Sequence, residues 1–166
     1  LEDLFQTMAN LKTDGCEMTL VVAGDGNVSE YQNLAMRLGI KAHITFVGWV
    51  ERQELDILMG SARCLVLPSY AEGMPMCILE AFANKLPVVA TSVGAIPEII
   101  KHGIDGYLYS PGDIKQLSRF LKHYTENKES AINDGLSGFK KYSEQYSEKI
   151  FINETNQAIY DVLNND

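Results

Sequence analysis

Short, continuously apolar stretches alternate with amphipathic helical patterns along most of this chain, and few folds accommodate that alternation. Met18–Ala23, His43–Val47, Arg63–Leu67, Pro87–Ala90 and Gly106–Tyr109 read as strands. Ser29–Leu38, Glu51–Met59, Pro75–Ala83 and the short Pro97–Lys101 read as helices between them. Asp113 is placed to cap a further helix, whose apolar face carries Ile114, Leu117, Leu121 and Tyr124. A strand buried on both faces shows an unbroken apolar run, as VVA and LVL do here, whereas a strand with one wet face alternates. The pattern predicts an α/β domain, a doubly wound parallel sheet covered by helices on both faces. The last fifth of the chain reads as polar helix, ending in a terminal helix over residues 147–166. Its apolar positions are Phe151, Ala158, Ile159, Val162 and Leu163.

Composition narrows the function. The 166 residues suffice for a single domain with its own core. A formal net charge of −8 opposes nucleic acid and anionic lipid as overall partners. No apolar run approaches the roughly 18–20 residues of a membrane span, so direct membrane insertion is not expected. Cys16, Cys64 and Cys77 fit neither a CxxC nor a zinc-ligand spacing, and their odd count argues against a disulfide framework. A reducing, cytoplasmic compartment is expected, with Cys64 and Cys77 as inert core. His43, His102 and His123 have no partner pattern for a triad or a metal, and surface or capping roles are expected for them. Leu1, Leu4, Phe5, Met8 and Leu11 form a helical stripe that starts at the first residue with no capping residue ahead of it. The expectation is that upstream sequence is missing.

In doubly wound sheets, ligands bind beyond the carboxyl ends of the strands. Gly24–Asn27, Gly48–Val50, Pro68–Met74 and Thr91–Ala95 fall there. The richest stretch is SYAEGMPMCILEAFANKLPVVATSVGAIPE, from Ser69 to Glu98. Pro75 suits a first helical turn, where its missing N–H costs nothing. Free N–H groups at such a helix start attract anions, a phosphate or diphosphate above all. Glu72 beside it would compete with an anion, unless it faces the neutral part of a phosphate-bearing ligand, such as a sugar with hydroxyl donors. Glu80 is the one charged residue between Met74 and Asn84. A carboxylate in so apolar a helix must be paired, hydrogen-bonded or turned into a cleft, and one carboxylate can accept both hydroxyls of a ribose. Because Glu72 precedes the helix, the two need not share a face and can bracket one elongated ligand. Gly24-Asp25-Gly26 lacks the third glycine of GxGxxG, since Ser29 stands there, so dinucleotide binding is not indicated.

The Glu72…Glu80 spacing, set in EGMPxxILEAxAxxLPVVATxxGxxPEII, resembles the C-terminal donor-binding domain of GT-B retaining glycosyltransferases, family 4 or group 1. The likeness extends over nearly the whole chain, through VVAGDGN, ITFVGWV, PVVAT and HGIDGYLYSPGD. It implies a Rossmann-like sheet forming half of a two-domain enzyme. That enzyme would transfer a hexose-type sugar to a hydroxyl acceptor, in polysaccharide or glycoconjugate synthesis. It implies a UDP- or GDP-linked nucleotide sugar as donor, with no metal and no other cofactor. Carried over, Glu72 would contact the donor sugar as the catalytic-site carboxylate. The backbone of Gly73, Met74 and Met76 would hold sugar or diphosphate oxygens, and Glu80 would bind the ribose diol. Gly48, Trp49 and Val50 would flank the base. Gly24, Asp25, Gly26 and Thr91 would form the cleft rim, with Thr91–Ala95 supporting the site from behind.

The chain departs from the resemblance in two places. Lys85 stands where the family has a helix-ending Gly, and Asn84 is expected to take over the left-handed conformation. The family's opening strand and its loop, with the Arg and Lys that grip the diphosphate, have no counterpart here, nor has an N-terminal acceptor domain. The chain alone is therefore expected to be inactive, and any attachment to the cytoplasmic face of a membrane would come from the absent half. With the usual strand order, the absent strand is central. Met18–Ala23 and Arg63–Leu67 would then leave a gap, pair directly, or admit a segment from another chain. A non-catalytic module that holds a nucleotide or sugar phosphate is the alternative function. A GT-B epimerase or phosphorylase is a third reading, disfavoured because those usually lack this pair of glutamates.

Overall fold

Among the described residues, five strands form two parallel sheets that are not hydrogen-bonded to each other. The structure is a computed structural model describing residues 1–164. Helix α1 (Glu2–Thr13) leads into β1 (Leu20–Ala23), α2 (Val28–Arg37) and β2 (Ile44–Gly48). Then follow α3 (Arg52–Ser61), β3 (Leu65–Leu67), α4 (Met76–Ala83), β4 (Val88–Thr91), α5 (Ile96–Ile99) and β5 (Gly106–Tyr109). Three helices close the order: α6 (Ile114–Glu126), α7 (Lys128–Lys141) and α8 (Glu148–Asn164), with a π-helical turn, Tyr142–Tyr146, between the last two. One sheet pairs β1 with β2, and the other runs β3-β4-β5. All three pairings are parallel.

Of the three outcomes expected for the sheet, the gap is the one realised. It opens between the free edges of β1 and β3. Leu20–Ala23 line one wall and Leu65–Leu67 the other, and Leu1 and Leu4 of α1 also face it. The slot and the cleft continuous with it enclose about 680 Å³.

Helices cover both faces of the three-stranded sheet, as the sequence predicts. β4 shows why its run is unbroken. Val89 packs into one core with Leu4, Phe5, Met8, Leu117, Leu121 and Tyr124 of α1 and α6. Val88 and Ala90 point into the opposite core, with Ile78, Leu79 and Phe82 of α4 and Ile96 and Ile99 of α5. Each such apolar side chain contributes about 2 kcal/mol on burial. Phe5 extends the first core to the other sheet, packing edge-on against Tyr31 of α2 and Phe46 of β2.

β1 departs from the expectation of a buried strand. Val21 is 47% exposed and burial along the strand alternates. The reason is coverage: Leu55 and Met59 of α3 pack into the second core beside β3, leaving the outer face of the β1–β2 pair wet. A second departure lies at the end of α4. Lys85, not Asn84, takes the left-handed conformation, at φ 57°. The Asn84 amide is engaged elsewhere, donating to Asp56 Oδ1 and to the Glu80 carbonyl at 3.0 Å each. Helix α7 then closes on α4, with Gly138 against the Phe82 ring, where a Cβ would come within 2.4 Å of Cδ1. Lys141, at the end of α7, anchors that helix by donating to the buried Asp105 carboxylate and to the Ile99 carbonyl. The expected apolar positions of the last helix are not core: Phe151, Ile159 and Val162 are exposed on α8. The Leu163 side chain and residues 165–166 lie outside the described residues.

Candidate functional site

The carboxyl ends of all five strands point toward one side, so the loops that follow them gather there. The loop after β1, Gly24–Asn27, joins Pro68–Ala71 after β3 and Glu80 of α4 in lining the cleft. Gly24 donates its N–H to the Gly48 carbonyl at 2.7 Å, which brings the loops after β1 and β2 together. Trp49, next along, is 77% exposed and lies outside the cleft lining, as do Gly48 and Val50.

The loop between β3 and α4 is braced at several points. Thr91, at the end of β4 and 1% exposed, donates its hydroxyl to the Ser69 carbonyl at 2.6 Å. It supports the loop from beneath and is not part of the cleft lining. Ala95 N–H donates to the Gly73 carbonyl at 3.2 Å. The Tyr70 hydroxyl reaches back to Asp3 of α1 at 2.8 Å. On this frame Ser69 donates to Glu72 Oε1 at 2.5 Å. Glu72 is half-buried, while Gly73, Met74 and Met76 are exposed at the start of α4. Pro75 is the N-cap of α4, one residue earlier than its expected place inside the first turn. Beyond it the Ile78 N–H donates to the Pro75 carbonyl at 3.2 Å, and the Met76 and Cys77 N–H groups ahead of it have no helical carbonyl to bond.

Glu80 is both paired and cleft-facing. Arg52, in the first turn of α3, lies 3.7 Å from Glu80 Oε1 and also bonds Asp56 at 3.2 Å. Sequence reading missed Arg52, because its partner lies on another helix and no local spacing announces the contact. Cys77, in the first turn of α4, lines the cleft with Glu80. Burial pushes its thiol up to about 11, and the charges of Glu72 and Glu80 push it the same way. Burial pushes Cys64 up to about 12. Neither thiol ionises near neutrality, so both are inert as nucleophiles.

Two of the histidines hold structure. His102 Nδ1 accepts from the Leu108 N–H at 3.0 Å, and His123 bonds Ser130 at 2.9 Å. Among the described residues there is no group of three or more His, Cys, Asp and Glu that could hold a metal ion, and no helix is long and apolar enough to cross a membrane.

Parallel strands, helices on both faces of the three-stranded sheet, and a cleft at the strand ends define a Rossmann-like domain. The family model "Glycosyl transferases group 1" matches residues 1–140, and the chain belongs to that family of transferases. The chain is 30% identical over 175 aligned residues to a lipopolysaccharide 1,6-galactosyltransferase of Salmonella typhimurium, a match covering 98% of this chain and 45% of that protein. In fold it resembles the sucrose-phosphate synthase of Thermosynechococcus elongatus, with a TM-score of 0.90 at 20% identity, over 99% of this chain and 42% of the other. It also resembles Anabaena Alr3699/HepE, solved in complex with UDP-glucose, with a TM-score of 0.84 at 23% identity, over 99% and 44%. The chain spans less than half the length of the curated relatives it matches.

Proposed function

We propose that this chain is the donor-binding half of a retaining glycosyltransferase, taking a UDP- or GDP-linked sugar and serving polysaccharide or glycoconjugate synthesis in the cytoplasm. The observation that carries the reading is the placing of the two glutamates: Glu80 lines the cleft, and Glu72 stands on the braced loop that leads into the same helix. A ligand with a diol at one end, a diphosphate in the middle and a sugar at the other would meet both carboxylates. Glu80 accepts the ribose hydroxyls, and the first-turn N–H groups of α4 and the backbone of Gly73, Met74 and Met76 hold diphosphate or sugar oxygens. Glu72 faces the sugar, while Gly48, Trp49 and Val50 flank the base. Fixed N–H dipoles aimed at the departing diphosphate stabilise its developing charge, and the nucleophile is the acceptor's hydroxyl.

Acceptor binding belongs, in this reading, to a partner domain of the same protein, consistent with the share of its relatives that this chain spans. The slot between β1 and β3 would then take a parallel strand from that remaining polypeptide. Calorimetric titration of the chain with UDP- and GDP-sugars tests the assignment. Glu80→Ala is expected to weaken nucleotide binding about tenfold or more, the loss of hydrogen bonds to a charged group. Unchanged affinity in that variant sinks the ribose assignment, and measurable turnover by the chain alone would overturn the division of labour.

A further inference from the structure

The geometry points to Ser69 as a positioning residue for Glu72, one that occupies a single carboxylate oxygen and leaves the other for one hydroxyl of the sugar. This inference rests on the reading of Glu72 as the group facing the sugar.

Three contacts fix the frame. The Ser69 carbonyl is held by the Thr91 hydroxyl at 2.6 Å, and Thr91 belongs to the most buried strand of the domain, so the base of the loop is tied to the sheet. The Glu72 carbonyl lies directly on Gly94, where a Cβ would fall 2.0 Å from its oxygen. No other residue permits that approach, and Gly94 also has a φ of +54°. The Gly73 carbonyl accepts from Ala95. The backbone of Glu72 is thus pinned while its side chain still has three torsions to set.

Ser69 sets them. Its Oγ donates to Oε1 at 2.5 Å, a direct hydroxyl-to-carboxylate hydrogen bond. Among the described residues no Lys or Arg pairs with Glu72; the nearby Arg52 goes to Asp56 and Glu80. The hydroxyl therefore orients this carboxylate where a cation would otherwise do so, and it adds no positive charge beside a sugar. A carboxylate held this way presents Oε2 in one direction before the ligand arrives, so less freedom is lost on binding. The effect exerted through Glu72 falls on the sugar.

Two measurements on Ser69→Ala and Ser69→Thr test this. In the ligand-free protein, three-bond NMR couplings of Glu72 are expected to report one side-chain rotamer in the wild type and in Ser69→Thr, and averaged rotamers in Ser69→Ala. In calorimetric titrations, Ser69→Ala is expected to lower the ratio of UDP-glucose to UDP affinity by about three- to tenfold, the worth of one hydrogen bond. Ser69→Thr is expected to restore the ratio. Equal weakening of both ligands, or an unchanged ratio, overturns the positioning role. If the wild type prefers no UDP- or GDP-sugar to the matching free nucleotide, the sugar-facing reading of Glu72 fails. The couplings then still decide whether Ser69 holds Glu72, with a single rotamer in Ser69→Ala counting against it.

Discussion

The tripeptide Val-Val-Ala occurs twice, as Val21–Ala23 in β1 and Val88–Ala90 in β4, and its two copies have opposite fates. In β4 all three side chains are fully buried, whereas in β1 the first valine is 47% exposed. Composition and strand type are identical, so the difference lies in the neighbours. β4 has hydrogen-bonded strands on both edges and helices on both faces, while β1 has one partner strand and one covered face. An apolar run thus specifies what a strand can bury, and topology decides what it does bury.

The sharpest way to break the β4 side of the comparison is to release α7, which clamps the second core. Lys141→Met leaves the buried Asp105 carboxylate without its cation and is expected to cost about 3 kcal/mol, read from chemical denaturation. Val88→Ala comes next, at about 2 kcal/mol, whereas the matched Val21→Ala is expected to cost less than about 0.5 kcal/mol. Equal costs would show that β1 is as well covered in solution as β4. Hydrogen exchange sharpens the same contrast, with β1 amides expected to exchange faster than those of β4. The smallest effect is a gain. Lys85→Gly relieves the left-handed strain before β4, worth about 1 kcal/mol, and loses the contact of the Lys85 ammonium over the Phe139 ring. A net stabilisation below about 1 kcal/mol is expected from thermal melts, and a loss would show that the ring contact dominates.

Much of this architecture is legible because local signals dictate it. Gly106–Tyr109 forms β5 as read, and the Asp113 carboxylate does cap α6, accepting from the Gln116 N–H at 2.9 Å. The family is legible from the Glu72…Glu80 spacing. What escapes depends on distant partners. Asn is the commoner non-glycine residue in a left-handed turn, so Asn84 is the natural candidate, yet its amide is drawn to Asp56 on another helix. Arg52 meets Glu80 for the same reason. The Ser69–Glu72 contact is different: a hydroxyl three residues ahead of a carboxylate in a turn is a local signal, carried by the sequence itself.

The slot between β1 and β3 also governs how the chain behaves in company. Two facing strand edges with free N–H and C=O groups, walled by valine and leucine, are a template for any extended segment. With the slot unfilled, a second molecule's exposed β1 is a competent guest, so the chain's tendency to self-associate should rise with concentration. A short apolar peptide added in excess should suppress it.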